Sequence, residues 1–355
     1  MGAPPLTTAM LSRVANTLYW MVRYVERADN LARLIDVNQQ LLLDSERLDS
    51  ERLRGFWQPI ILSTGDEDLF NSLYTTAGSA EVIRFLTDDP RNPNSITSCV
   101  ALARENARTV RDQLSDELWE ELNGLYLFTR SEDASRLIGA DPPRFYENVR
   151  RSAVTFLGIA ASTTARDEDW DFMELGRYLE RADKTTRFLD VASYLPAGAA
   201  QAASGILHWT AILRSCGALG AFRANERTIS ARGVVDFLMF FGKFPRSVRF
   251  CMEKVDLSLH RISGTPRGTF CNEAERAAGR LLADLTFGSS EDAFRVGLHD
   301  YLDALQGRFN AIGAAVFQSY VLMPEQIQVC PAEEFRSLSA QALWEMQQQQ
   351  QQQQQ

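Results

Sequence analysis

The sequence lacks most features that mark the common enzyme and membrane classes. It has only three histidines, no C-x-x-C pair and no glycine-rich loop of the G-x-x-x-x-G-K-[ST] or G-x-G-x-x-G type. No histidine lies three residues after a glutamate, so the Glu-x-x-His pairs of four-helix di-iron proteins are absent. We therefore expect no metal and no cofactor. The N-terminal segment shows no secretory signal, and no stretch approaches the about 18 apolar residues of a membrane span.

The composition is typical of a globular protein. The chain has 355 residues, of which 45% are hydrophobic and 23% are charged. Its net charge of −9 argues against nucleic-acid binding. An odd number of cysteines without a C-x-x-C pair predicts reduced thiols in a cytoplasmic protein, and these cysteines are Cys99, Cys216, Cys251, Cys271 and Cys330.

The apolar periodicity predicts an all-α protein, because strand-like alternation bounded by turn signals is absent. Plausible helix caps support this prediction at Ser95, Asp141 and Asn272. The predicted helices cover residues 10–48, 52–64, 66–76, 79–87, 94–113, 115–130, 142–165, 169–195, 206–224, 231–241, 245–262, 272–286 and 291–319.

One phrase occurs twice. Residues 23–37 read RYVERADNLARLIDV and residues 177–191 read RYLERADKTTRFLDV, with nine of fifteen positions identical at an offset of 154. Further matches follow at an offset of 152, among them Trp57 with Trp209 and Cys99 with Cys251. Because an amphipathic helix requires only the apolar pattern, matched charged residues indicate more than matched leucines. The sequence predicts an internally duplicated helical bundle with two pseudo-symmetric repeats.

The duplication suggests how the chain is organised. We expect a disordered N-terminus (1–9), a first helical repeat (10–165) and a second repeat (166–322) that packs with the first as one unit. A flexible C-terminal tail (323–355) contains nine consecutive glutamines, which cannot build a core.

The repeated phrase also supplies the candidate site. Arginine and glutamate are rarely buried without partners, so two readings remain open. In one, the clusters are structural ion pairs that fix helix register. In the other, arginines with spare donors line a pocket for a carboxylate or phosphate. No catalytic residue is assigned, and the candidate residues are Arg23, Tyr24, Glu26, Arg27, Asp29, Arg177, Tyr178, Glu180, Arg181 and Asp183.

Four blocks of the sequence resemble the bacterial alpha-E family, an all-helical family named for a Glu-Arg motif. The blocks lie within about residues 10–320 and are MLSRVANTLYWMVRYVERADNLARLIDV, NPNSITSCVALARENARTVRD, FMELGRYLERADKTTRFLDV and FPRSVRFCMEKVDLSLHRI. The motif carries over to Glu26-Arg27 and Glu180-Arg181. The family often has an acidic-basic pair before the Phe-Pro-Arg-Ser block, whereas this chain has Phe241-Gly242-Lys243.

The resemblance implies partner proteins rather than a particular reaction. Genes of this family lie beside a circularly permuted ATP-grasp amide ligase, and often near transglutaminase-like and proteasome-like peptidases. The implied function is an accessory or binding subunit of an ATP-grasp peptide or amide ligase system, with the ligase and a transglutaminase-like peptidase as partners. One alternative is an enzyme in its own right, a transferase or amide-forming component that acts on an anionic substrate with a glutamate as general base. The other alternative is a helical structural scaffold. We expect no nucleic-acid or membrane partner, and an apolar helical surface is compatible with a homodimer.

Overall fold

The computed structural model describes residues 12–43, 50–194, 203–225 and 228–322, which form helices and connecting turns without a β-strand. This confirms the predicted all-α fold class. The predicted disordered N-terminus (1–9) and the tail with its polyglutamine tract (323–355) lie outside the described residues.

Sixteen α-helices occur in the described residues. They are α1 (Ser12–Leu43), α2 (Ser50–Thr64), α3 (Glu67–Leu73), α4 (Ser79–Thr87), α5 (Ile96–Thr109), α6 (Asp116–Thr129), α7 (Glu132–Ala140), α8 (Pro142–Thr163), α9 (Glu168–Asp190), α10 (Ala203–Ser215), α11 (Leu219–Asn225), α12 (Ala231–Val235), α13 (Val248–Ser263), α14 (Glu273–Phe287), α15 (Ser290–Val296) and α16 (Leu298–Phe317). Short 3-10 turns occupy Arg111–Gln113 and Val191–Tyr194, and π-helical turns occupy Asp236–Phe240 and Gln318–Leu322.

Two predicted helices were wrong, and one helix was missed. The predicted helix 206–224 breaks at Gly217, and the predicted helix 291–319 breaks at Gly297. Both glycines have positive φ, at 61° and 109°, which ends a right-handed helix. Helix α7 was not predicted, although Ser131 caps it by accepting a hydrogen bond from the Ala134 amide.

Serine caps begin two of the helices that surround the site. Ser95 accepts a hydrogen bond from the Ser98 amide at the start of α5, and Ser247 accepts one from the Phe250 amide at the start of α13. These two serines occupy matched positions of the repeat, 152 residues apart. The caps fix the loops that approach α1 and α9.

Helices α1 and α9 form the centre of the molecule. They pack most extensively on one another, α1 also on α5 and α8, and α9 also on α13 and α16. At their crossing, a Cβ atom on Gly176 would lie 2.3 Å from the Tyr19 carbonyl oxygen. The two backbones approach this closely because residue 176 has no side chain.

The larger hydrophobic cluster contains residues of both halves, such as Trp57 and Trp209. The predicted boundary near residue 165 falls in the short connection between α8 and α9. Each half contributes eight of the described helices, and α3 and α11 begin 152 residues apart. The duplication itself and the repeat boundaries stay predictions. Within the described residues, every helix is too short or too polar to cross a bilayer.

Candidate functional site

The two copies of the repeated phrase face each other on α1 and α9. Glu26 on α1 and Glu180 on α9 are both fully buried. A buried carboxylate is costly without partners, so the groups around each glutamate determine the site. We call the two sets of groups the Glu26 cluster and the Glu180 cluster.

The glutamate of each copy pairs with the arginine of the other copy. Arg181 donates from Nε and Nη2 to the two carboxylate oxygens of Glu26, at 2.7 Å each. Arg27 donates from Nε and Nη2 to Glu180, at 2.6 and 3.1 Å. Both pairs have the two-bonded fork geometry of the strongest arginine–carboxylate contacts. The Glu-Arg motifs are therefore exchanged between α1 and α9.

Each cluster also holds a further cation, and the two clusters take it from different places. In the Glu26 cluster, Arg246 from the loop before α13 lies 3.1 Å from Glu26 and 2.6 Å from Asp29. In the Glu180 cluster, Lys184 on α9 itself lies 3.6 Å from Glu180 and 3.1 Å from Asp183.

Asparagines stand at the complementary positions. Asn30 on α1 matches Lys184, and it accepts a hydrogen bond of 2.6 Å from Arg246. Asn94 in the loop before α5 matches Arg246, and it accepts one of 2.6 Å from Arg27. The Glu26 cluster thus has an asparagine on the helix and a cation in the loop. The Glu180 cluster has a cation on the helix and an asparagine in the loop.

The pKa directions follow from these contacts. Burial raises the pKa of Glu26, but Arg181 and Arg246 outweigh it and hold the pKa below its ordinary value. Burial likewise raises the pKa of Glu180, and Arg27, Arg23 and Lys184 lower it well below the ordinary value. Both groups are therefore carboxylates at neutral pH and weak bases.

Arg23 and Arg177, the first residues of the two phrases, have different surroundings. Arg23 donates to Glu180 and to the Tyr19 hydroxyl, each at 2.8 Å, and its guanidinium lies 4.7 Å from the centre of the Trp20 ring. Trp20 aligns with Glu174 in the second copy.

Arg177 donates to this Glu174 at 3.2 Å instead of pairing with Glu26. Its Nε atom is buried and has no hydrogen-bond partner. Within the described residues, Arg177 therefore forms its ion pair with Glu174 and not with Glu26, although its charge still helps to lower the pKa of Glu26.

The Glu180 cluster borders a cavity of about 200 Å³. Arg23 and Arg27 from α1 and Lys184 and Arg187 from α9 line it, so both helices contribute cations. The side chain of Arg27 keeps 16% of its surface exposed, whereas that of Arg181, its counterpart in the Glu26 cluster, keeps 5%. The Glu180 cluster is thus the more open of the two.

Arg27, one of the cavity cations, keeps unused donors. A guanidinium has five N–H donors, and Arg27 donates through one bond from each of its three nitrogens. Two N–H groups of Arg27 therefore make no hydrogen bond within the described part of the chain. Burial lowers the pKa of the Lys184 ammonium, and Asp183 and Glu180 counteract this.

A second ion pair closes the far wall of the cavity. Arg187 donates to Asp183 at 2.8 Å and to the Ser63 carbonyl at 3.0 Å. A Cβ atom on Gly65 would lie 3.2 Å from Nη1 of Arg187. Gly65, with φ of 78°, therefore lets the chain turn closely beside this guanidinium.

The remaining predicted residues lie beside the clusters. The Tyr24 ring centre is 5.7 Å from the Arg27 guanidinium, and the Tyr178 ring centre is 5.5 Å from that of Arg181. Both distances suit cation–π contact. Asp29 also accepts from Arg33, four residues along α1. The ten candidate residues thus comprise the two glutamates, seven residues that contact them or their ion-pair partners, and Arg177, which acts on Glu26 through its charge alone.

Sequence reasoning did not select Arg246, Lys184, Asn94 or Arg187 as site residues. Arg246 belongs to the Phe-Pro-Arg-Ser block, which is a signal for its loop. Lys184 follows Asp183 within the repeated phrase, and Asn94 precedes the Ser95 cap. These positions carried a detectable signal, but nothing in the sequence indicated which glutamate each would reach.

The described cysteines are free and do not favour nucleophilic chemistry. Burial raises the pKa of Cys99 and of Cys251 to about 12, so both are thiols at neutral pH. In the part of the chain that the structure describes, no group of three or more His, Cys, Asp or Glu side chains is arranged to hold a metal ion.

Comparisons with known proteins identify the family. Residues 10–321 match the model of Alpha-E, described as a predicted alpha-helical domain with a conserved ER motif. Curated relatives include Uncharacterized protein Mb2597 of Mycobacterium bovis and Uncharacterized protein Rv2567 of Mycobacterium tuberculosis, each 26% identical over 272 residues.

The match covers 71% of this chain but only 30% of each of these relatives. No solved structure matches the chain. The family match spans most of the chain and includes both Glu-Arg pairs. The chain therefore belongs to the Alpha-E family.

Proposed function

We propose that this protein is an accessory or binding subunit of an ATP-grasp peptide or amide ligase system. It binds an anionic group of the ligase's product or acceptor at the Glu180 cluster. One observation carries the proposal: Arg23, Arg27 and Lys184 converge on one cavity, and Arg27 keeps two N–H groups that make no hydrogen bond within the described residues.

The charges around the cavity favour an anion. Its lining contains four cations and two carboxylates, which are Arg23, Arg27, Lys184, Arg187, Asp66 and Asp183. Glu180 lies behind this lining and accepts from the same arginines. The balance remains positive, and a partly desolvated arginine fork is a strong partner for a carboxylate or phosphate.

The size of the relatives supports an accessory role. In the mycobacterial relatives the matched region occupies less than a third of the chain. A helical unit that forms part of a longer protein in some organisms is suited to working beside another domain. The ATP-grasp ligase is the partner that the family resemblance implies.

The site geometry disfavours the alternative in which a glutamate is the general base of an enzyme. Glu26 and Glu180 are both held in bidentate ion pairs, and the arginines lower the pKa of each. A general base works best when its pKa lies near the operating pH. The scaffold alternative fits the Glu26 cluster, whose cations are the more buried.

The partner part of the proposal is tested by co-expressing the full chain with the ATP-grasp ligase of the same organism. We expect the two proteins to co-elute in native size-exclusion chromatography. Separate elution at micromolar concentrations would count against the accessory role.

The anion part is tested with inorganic phosphate as the probe, by calorimetric titration of two matched variants. Lys184→Gln removes the further cation of the Glu180 cluster and Arg246→Gln removes that of the Glu26 cluster. We expect Lys184→Gln to weaken phosphate binding about tenfold, and Arg246→Gln to leave it nearly unchanged. Equal weakening in both variants, each shown to be folded by circular dichroism, would contradict the assignment.

A further inference from the structure

An apolar groove shares a wall with the basic cavity. The groove has a volume of about 460 Å³ and lies between the first half of α1 and the end of α16. Arg23, Arg27 and Asn310 line both spaces. A ligand that fills both spaces needs an anionic group in the basic cavity and an apolar group in the groove. The two groups must be joined at the shared wall.

Aromatic side chains form much of the groove. Trp20 and Tyr19 come from α1, Phe172 from α9 and Phe317 from the end of α16. Phe317 is 40% exposed, so it leaves apolar surface to cover. The volume is within the range of sites for small ligands, which runs from about 300 to 1,000 Å³.

Two side-chain amides in the groove are accessible to a ligand, because Asn16 is only partly buried and Asn310 is exposed. An amide side chain offers one acceptor oxygen and two N–H donors, which match the donor and acceptor of a peptide bond.

We propose that the site binds the free carboxyl end of a peptide whose last residue is apolar. The carboxylate lies in the basic cavity with Arg23, Arg27 and Lys184, and the last side chain lies in the groove. The α-carbon, where these two groups diverge, sits at the shared wall, and the preceding peptide bond faces Asn310. This inference rests on the proposed function and narrows its ligand.

The test uses three probes that differ in one feature each. They are acetyl-Ala-Phe with a free carboxylate, the same peptide with a C-terminal amide, and acetyl-Ala-Ser with a free carboxylate. We expect the first to bind at least about tenfold more tightly than either of the others in calorimetric titration of the full chain. The amide tests the anion site, and the serine peptide tests the groove.

A variant that fills the groove provides the second half of the test. Ala314 lines the groove on an exposed position of α16, so Ala314→Trp occupies the groove without disturbing the core. We expect this variant to lose the preference for phenylalanine over serine and to keep the preference for the carboxylate over the amide. Ala314→Ser, which leaves the groove open, should behave like the unchanged protein.

The outcomes separate the two proposals. Equal affinity for the phenylalanine and serine acids, or an Ala314→Trp variant that keeps the preference for phenylalanine, would overturn the inference and leave the anion site standing. An amide that binds as tightly as the acid would overturn the anion site itself.

Discussion

The Glu26 and Glu180 clusters are both centred on a Glu-Arg pair exchanged between α1 and α9, yet only the Glu180 cluster lines the described cavity with its cations. The difference comes from their neighbours. Trp20 has no charge that competes for Arg23, so Arg23 pairs with Glu180. At the matched position, the carboxylate of Glu174 pairs with Arg177 instead. A repeated motif therefore does not create a repeated site, because the residues one turn away determine which cation is available.

The origin of the further cation adds to the contrast. Arg246 reaches the Glu26 cluster from a loop and contacts Glu26, Asp29 and Asn30. These contacts tie the loop to α1. In the Glu180 cluster the matched loop residue, Asn94, is neutral, and the cation is Lys184 on α9. The Glu26 cluster thus joins the loop before α13 to α1, whereas the Glu180 cluster places Lys184 at the cavity.

The largest expected effect compares the two glutamates. Glu26→Gln should lower the free energy of unfolding by about 3–5 kcal/mol, because it leaves buried guanidinium groups without their carboxylate. Glu180→Gln should cost less, because water or an added anion can reach its cations from the cavity. Urea denaturation measures both losses. Added phosphate should restore part of the stability of Glu180→Gln only, and restoration of both variants would break the comparison.

A smaller effect tests whether the two arrangements of the further cation are equivalent. Arg246→Asn should cost about 2–3 kcal/mol, because charge-assisted hydrogen bonds to Glu26 and Asp29 are lost. Adding Asn30→Lys gives the Glu26 cluster the same residues as the Glu180 cluster at two matched positions, a lysine on the helix and an asparagine in the loop. We expect the double variant to recover at least half of the loss in a double-mutant cycle of unfolding free energies. Strictly additive losses would show that the loop position cannot be replaced.

The helix crossing that both clusters share gives the next effect. Gly176→Ala places a Cβ atom against the Tyr19 carbonyl and should cost about 1–3 kcal/mol of stability. Gly158→Ala on the exposed side of α8 meets nothing within 4 Å and should stabilise by up to about 1 kcal/mol. Thermal unfolding compares the two variants. A neutral Gly176→Ala would mean that the clusters tolerate a wider helix separation.

The smallest effect uses the matched aspartates at the end of the repeated phrases. Asp190 accepts from His299 Nδ1 at 2.8 Å, and Asp36 accepts from Arg150 at 2.6 Å. The hydrogen bond to Asp190 raises the pKa of His299. This contribution to stability is therefore fully present below pH of about 6.5 and is lost as the pH rises through the raised pKa.

Because the His299 side chain is 49% exposed, its contribution should stay below about 1 kcal/mol. The difference in melting temperature between the unchanged protein and His299→Gln should shrink between pH 6 and 8. The Asp36 pair should change much less over this range, because arginine does not titrate there and Arg150 offsets part of the rise that burial causes in the pKa of Asp36. A pH-independent difference for His299→Gln would contradict the assignment.

The sequence predicted the all-α class and most of the helices, because apolar periodicity and helix caps are local signals. The breaks at Gly217 and Gly297 were missed because the positive φ of a glycine is a property of the folded chain. The ion pairs were predicted as to residue type. The sequence did not predict that each glutamate pairs with the arginine of the other copy. That pairing depends on how α1 and α9 cross at Gly176, and a repeat spacing of 154 residues does not reveal the crossing.

The exchanged pairing has a consequence for the history of the chain. If one copy of the motif folded alone, its glutamate would lack the arginine, and its arginine would lack the glutamate, that the other copy supplies here. Under the predicted duplication, the ancestor could satisfy both groups only across a self-complementary contact between two identical molecules. Fusion of the two genes would then have freed each side to diverge, and the tryptophan on one side and the glutamate on the other are the kind of divergence that a symmetric pair of chains cannot reach.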